Sequence, residues 1–293
     1  MTDPTVYPEL NAVLRELVGS VRTILAENFC GAYLQGSFAV GDADVHSDVD
    51  FIVVTDEEIG SAQSTALQAM HKRIFALEVP WAQHLEGSYV PRGRLRHVDP
   101  ARSPYLYLDN GATELTWDNH CNTAVVRWSL REHGIVLAGP DPKDFVEPVT
   151  AGQLRTEVLS AMPEWVAMWG PAPPKVSPMS RWKQALFVLS FCRMLHTLSS
   201  GRVTSKKEAG EWALSALDAE WRSLVQHALD ERPDPWLRVH QPADAELVTR
   251  TSAFIAYALE EAGARHDDGS LAHFAPHPSP VRATSSWIRG RLT

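Results

Sequence analysis

Apolar side chains at Leu10, Val13, Leu14, Leu17, Val18, Val21, Ile24 and Leu25 recur in steps of three and four, which predicts an amphipathic helix over 7–28. The pattern then shortens. Residues 29–34 read as a strand closed by Gln35-Gly36-Ser37, and a loop rich in Gly, Asp and His leads to a second, β-branched run over 49–54. A helix over 61–77 and a strand around 83–90 follow. The segment 98–118 has no clear period, 119–133 reads as a helix stopped at Gly134, and Ile135-Val136-Leu137 is a last short strand. From about 151 the pattern is helical only, over 151–169, 180–199, 205–230 and 243–263, with a Pro-rich connector from Gly170. The expectation is an α+β protein. Residues 1–150 form a domain with a mixed β-sheet and helices, 151–264 an all-α helical bundle, and the Pro-, Ser- and His-rich stretch 265–293 a tail of low order.

Composition narrows the partners. The 293 residues carry a net charge of −9, whereas a protein gripping a nucleic-acid backbone usually shows a basic face. No nucleic-acid partner is therefore expected, and a negative cleft would favour a cationic substrate. Neither a signal peptide nor a bilayer-length apolar run is seen, since Ala185 to Leu195 is too short and is interrupted by Ser190 and Arg193. A cytoplasmic protein with no membrane partner is expected. Cys30, Cys121 and Cys192 lie far apart and read as reduced core thiols.

The stretch that carries chemistry is Gly36-Ser37, ten residues, then Asp48-Val49-Asp50-Phe51. Alternation along a strand puts Asp48 and Asp50 on one side, where two carboxylates repel unless a cation lies between them. Hard oxygen donors suit Mg²⁺, which takes one or two protein carboxylates and completes its shell with water and phosphate. Two such ions would polarise an α-phosphate toward attack by a hydroxyl and neutralise the leaving pyrophosphate. Gly36 lets the chain approach a triphosphate, whose oxygens backbone N–H groups and the Ser37 hydroxyl would hold. Taken singly, Gly36-Ser37 is also a plain turn and Asp48 a turn residue; the ordered combination is what points to catalysis.

This arrangement resembles the active-site signature of the DNA polymerase β-like nucleotidyltransferases. The resemblance implies a third acidic residue on a later strand, acting as general base and metal ligand. Glu86 fits that place, and its competitor Glu78 falls at the expected helix end before Pro80. The segments Leu130-Arg-Glu-His-Gly-Ile-Val-Leu-Ala-Gly-Pro140 and Leu198-Ser-Ser-Gly-Arg-Val-Thr-Ser-Lys-Lys-Glu-Ala-Gly-Glu-Trp-Ala-Leu214 further resemble streptomycin/spectinomycin adenylyltransferases, over about residues 30–230. That family implies a nucleotidyltransferase domain followed by a helical domain, ATP as co-substrate with two Mg²⁺ ions, and a small hydroxylated acceptor. It also implies triphosphate contacts from Arg193 and Lys206. Lys206 would sit at a helix N-terminus behind the capping box Ser205-Lys-Lys-Glu208, where the dipole already favours phosphate. A monomer is expected.

Acceptor recognition is expected from Glu114, Trp117, Asp118 and His120, which offer an aromatic face and carboxylates to a cationic sugar, and from Trp182. One departure stands out: where the family has acidic residues before the long helix, this chain has Lys175, Arg181 and Lys183. That substitution of base for acid supports a second reading, the same chemistry on another metabolite or a protein side chain. A third reading, a non-catalytic nucleotide-binding protein, would not need both Asp48 and Asp50.

Overall fold

The structure is a computed structural model and describes residues 3–170, 179–232 and 235–267. The segment holding Lys175, and the tail from 268 onward, lie outside the described residues. Two compact units divide the chain, the first covering Met1–Val149 and the second beginning at Thr150.

The first unit is built on six strands: β1 (Phe29–Leu34), β2 (Val49–Thr55), β3 (Leu85–Pro91), β4 (Tyr105–Leu108), β5 (Leu115–Asp118) and β6 (Ile135–Ala138). Their order across the sheet is β5-β4-β3-β2-β1-β6. β2 and β3 run parallel and every other neighbour is antiparallel. The parallel pair needs a crossover, and α3 (Ser61–Phe75) supplies it.

Side-chain alternation splits the central strands between two faces. Leu34, Phe51, Val53, Leu85, Tyr89, Leu106 and Leu108 join Leu10, Leu14 and Leu17 of α1 (Pro8–Leu25) and Leu67, Met70 and Ile74 of α3 in one buried cluster. Tyr33, Ile52, Val54, Val90, Tyr105 and Tyr107 leave from the other face and meet Cys121 and Leu130. Because β2 and β3 are covered on both sides their residues are buried almost throughout, and the acids at their starts are their charged positions.

The irregular stretch of the sequence holds β4 and β5, which periodicity misses. Each is four residues long, too short to show an alternation, and β5 is an edge strand whose outer positions are exposed. The helix expected from 119 begins only at Ala124, as α5 (Ala124–His133), capped by the Thr123 side chain accepting from Val126 N–H. Residues 119–122 instead make a turn, with Asn122 N–H donating to Asn119 C=O. Fully buried Arg127 on α5 fixes that turn: it donates to Asn122 Oδ1 at 2.7 Å, to the Tyr105 hydroxyl and to the Arg94 and Leu95 carbonyls. Asn122 in turn donates to Asp99 Oδ2 at 3.0 Å.

Helices make up the second unit: α6 (Ala151–Trp169), α7 (Arg181–Ser200), α8 (Lys206–Ala216), α9 (Arg222–Asp230), the short α10 (Pro235–Arg238) and α11 (Ala245–Asp267). The apolar residues of α7 from Ala185 to Leu198, among them Phe187, Val188, Phe191 and Leu195, join one cluster with Trp169, Ala213, Leu224, Val225 and Phe254. The single helix expected over 205–230 is two, broken by a 3₁₀ turn at Ala219–Trp221. Both halves aim apolar residues at α7, so the period continues through a break in the backbone.

Candidate functional site

The site on the first unit begins where β1 ends. Gly36 takes a φ of +61°, a left-handed conformation that glycine adopts without strain, and opens the short α2 (Gly36–Ala39). A Cβ at Gly36 would run into the Asp50 carboxylate, and the Gln35 N–H donates to the Asp50 carbonyl at 2.9 Å. The Gly-Ser turn is therefore moulded around Asp50, with Ser37 one residue on. The loop that follows is tied by Asp44, which accepts from His46 N–H, and returns through Val49 N–H donating to His84 C=O.

Asp50 is the second residue of β2 and pairs in register with Glu86, the second residue of β3. Parallel pairing places both side chains on the same face, that of Ile52 and Ser88. Asp48 precedes the strand, which starts at Val49, so strand alternation does not fix its side chain relative to Asp50. All three side chains offer only carboxylate oxygens, and Gly36 leaves room at Asp50 that a side chain would fill. This donor set fits Mg²⁺. Among the described residues no group of three or more His, Cys, Asp or Glu is placed to hold a metal ion by itself.

Glu86 is 3% exposed, and a carboxylate buried that deeply needs donors. The Tyr107 hydroxyl donates to its Oε1 at 2.8 Å, and His120 Nε2 lies 3.2 Å from the same oxygen. Burial opposes a charge on His120, but the hydrogen bond and charge of Glu86, aided by Asp118 and Asp50, outweigh it and the imidazole titrates above its ordinary value. Burial, then Glu86 and Asp109, push the Tyr107 phenol far above its usual range, so it stays a donor. Tyr107 was not singled out from sequence; its strand gave no period, and only the Ser88–Tyr107 register brings it beside Glu86.

The expected acceptor segment divides. Asp118 pairs with Tyr105 on the acidic face and accepts from His120 N–H, so Asp118 and His120 gather with Glu86. Trp117 pairs with Leu106 and leaves from the opposite face, 56% exposed. Glu114 meets Lys72 of α3 at 3.5 Å. Trp117 does not join the acids because one residue along a strand reverses the face, and Glu114, just ahead of the strand, turns to Lys72 instead.

In the helical unit, Arg193 is half-buried on α7 and Lys206 is the first residue of α8. Ser205 caps α8 by accepting from Glu208 N–H at 3.0 Å. The reciprocal half of the expected capping box is not made, since the Glu208 carboxylate takes the Thr204 hydroxyl instead. Trp182 lies half-buried in the first turn of α7. Its basic neighbours are engaged within the unit: Arg181 donates from Nε to Glu231 Oε2 at 2.7 Å, and Lys183 Nζ donates to Met168 C=O at 3.0 Å.

Residues 145–257 match the model of the aminoglycoside adenylyltransferase C-terminal domain, which covers α6 to α9 and most of α11. The helical unit thus resembles that of aminoglycoside adenylyltransferases. The chain is 24% identical over 236 residues to aminoglycoside (3'') (9) adenylyltransferase of Shigella flexneri, covering 76% of this chain and 85% of that one. To spectinomycin 9-adenylyltransferase of Staphylococcus aureus it is 23% identical over 222 residues, 71% of this chain and 79% of the relative. A crystal structure of spectinomycin adenyltransferase from Enterococcus faecialis with ATP and spectinomycin superposes with a TM-score of 0.64 at 14% identity, over 85% of this chain and 98% of the other. The α+β fold with a helical second part is thus shared with an adenylyltransferase. Among the described residues no helix is long and apolar enough to cross a membrane.

Proposed function

We propose that this aminoglycoside adenylyltransferase-like protein transfers AMP from ATP to a hydroxyl of a small molecule, an aminoglycoside or aminocyclitol antibiotic. The observation that carries the reading is the register pairing of Asp50 with Glu86 on parallel strands, with Gly36 at positive φ moulded against Asp50. The relatives support it: their names give this reaction, and one has been solved with ATP and spectinomycin.

In this reaction the acceptor oxygen bonds to the α-phosphorus of ATP, the bond from that phosphorus to the β-phosphate bridging oxygen breaks, and pyrophosphate leaves. The hydroxyl proton passes to Glu86, the general base. Asp48 and Asp50, joined by Glu86, would hold Mg²⁺, which supplies charge neutralisation at the triphosphate when bound. Gly36 and Ser37 cradle phosphate oxygens, and Arg193 and Lys206 add cationic contacts, Lys206 from a helix N-terminus. Asp118 and His120, on the same face as Glu86, serve the acceptor. Because Arg181 and Lys183 are engaged internally, neither of these two cations argues against a cationic acceptor.

Pyrophosphate release from Mg-ATP with streptomycin, spectinomycin and several 2-deoxystreptamine drugs tests this reading. Turnover with one drug is expected, reduced by at least ~10²-fold in Asp50→Asn, the scale of losing one pre-placed transition-state contact. Binding of Mg-ATP without turnover of any drug would move the acceptor elsewhere, and failure to bind Mg-ATP would overturn the enzyme reading.

A further inference from the structure

Tyr107 has no part in the reaction as described, yet its hydroxyl donates to Glu86 at 2.8 Å. We propose that Tyr107 is a positioning residue for the reaction, holding the Glu86 carboxylate in the rotation from which it takes the acceptor proton. The proposal rests on the reading of Glu86 as the base.

Three observations support it. First, both side chains are buried, Tyr107 at 0% and Glu86 at 3% exposure, and the hydroxyl donates to Oε1 at 2.8 Å, within the short range of a hydrogen bond to a charged acceptor. Asp109 Oδ1 competes for the same proton from 3.2 Å, so the shorter contact assigns it to Glu86. Second, Tyr107 is rigidly held. Its backbone pairs with Ser88 on one side and Thr116 on the other, and its ring lies against the His120 ring at 5.3 Å. Third, His120 Nε2 approaches the same oxygen at 3.2 Å. Two donors converging on one oxygen restrict rotation of the carboxylate about its last bond, a freedom that an aliphatic pocket would leave open. A catalytic group held to within fractions of an ångström is what efficient proton transfer requires.

A merely structural role, satisfying a buried carboxylate, would cost stability whatever Glu86 does. A positioning role acts only through Glu86. The full chain is therefore compared with Tyr107→Phe, Glu86→Gln and the double variant. Tyr107→Phe should lower kcat by about 10- to 100-fold, the usual cost of losing a residue that orients a catalytic ligand. KM for ATP and for the drug should stay unchanged. Added to Glu86→Gln, it should cost nothing further in kcat. Asp109→Asn, which removes the competing acceptor, should leave kcat unchanged.

An acceptor-independent readout comes from crystals of wild type and Tyr107→Phe with Mg²⁺ and a non-hydrolysable ATP analogue. The Glu86 carboxylate should occupy one rotation in the former and turn or split in the latter. Unchanged kcat in Tyr107→Phe while Glu86→Gln is inactive would overturn the proposal. So would a full additive loss in the double variant, or an unmoved Glu86 in the crystal pair. Full activity in Glu86→Gln would instead overturn the base assignment, and the crystal pair would still decide whether Tyr107 fixes the carboxylate.

Discussion

The two faces of the sheet each bury a tyrosine hydrogen-bonded to a titratable side chain, with opposite results. On the face covered by α1 and α3, His71 Nε2 and the Tyr89 hydroxyl lie 2.7 Å apart, with Phe51 stacked on the imidazole. Burial alone acts there, and it lowers the His71 pKa to about 3, leaving a neutral imidazole. On the other face Tyr107 donates to Glu86, and His120, 41% exposed and beside that carboxylate, is shifted upward. The same residue types thus become an inert part of a core or part of a candidate catalytic centre. What differs is whether a carboxylate lies within reach, as it does where β2 and β3 begin.

Disrupting the apolar face tests this comparison most strongly. Leu67, at 0% exposure between α3 and the sheet, should cost about 2–5 kcal/mol when changed to Ala, measured by denaturant unfolding. The folded fraction should keep its kcat, since the acids lie across the sheet. A large loss of kcat in folded Leu67→Ala would show that the two faces are not independent.

A pH series sharpens the contrast with a smaller effect. The folded pKa of His71 lies below its unfolded value of about 6.5, so its neutral form contributes stability that is fully present above pH ~6.5. That stability is lost as pH falls from ~6.5 toward 3, because the unfolded chain binds the proton first. Below pH ~6.5 the loss should approach about 1 kcal/mol per pH unit. Replacing His71 by Gln should flatten this limb in melting experiments between pH 7 and 5, and an unchanged slope would remove His71 as its cause.

The smallest effect is expected at Trp117. Exposed and turned from the acids, Trp117→Ala should change stability by under ~0.5 kcal/mol and leave KM for the acceptor unchanged. A raised KM would return Trp117 to the acceptor site and break the division of faces.

Much of the acidic site was legible in the chain itself. Gly36, Asp48 and Asp50 stand within one loop and its flanking strands, so local spacing suffices to relate them, and Glu86 followed once a family pattern asked for a later acid. Lys206 and its Ser205 cap were legible for the same local reason, although the Glu208 half of the cap was not. Less could be read where strands are short. β4 and β5 give too few residues for a period, so Tyr107 went unseen and nothing in the chain separated Trp117 from Asp118 by face. The use of Arg181 at the start of α7 was hidden for another reason: sequence shows its charge but not Glu231, fifty residues away, with which it pairs.

The sequence by itself determined the class of fold, the longer helices, the strands β1 to β3 and the acids that open β2, because helical and strand periods and turn chemistry act over a few neighbouring residues. Tertiary structure decided which residues of β3, β4 and the turn after β5 meet those acids. It also set the opposite shifts of His71 and His120 and how the cations in the first turn of α7 are used. Those outcomes depend on strand register, burial and partners distant in the chain, and no local pattern encodes them.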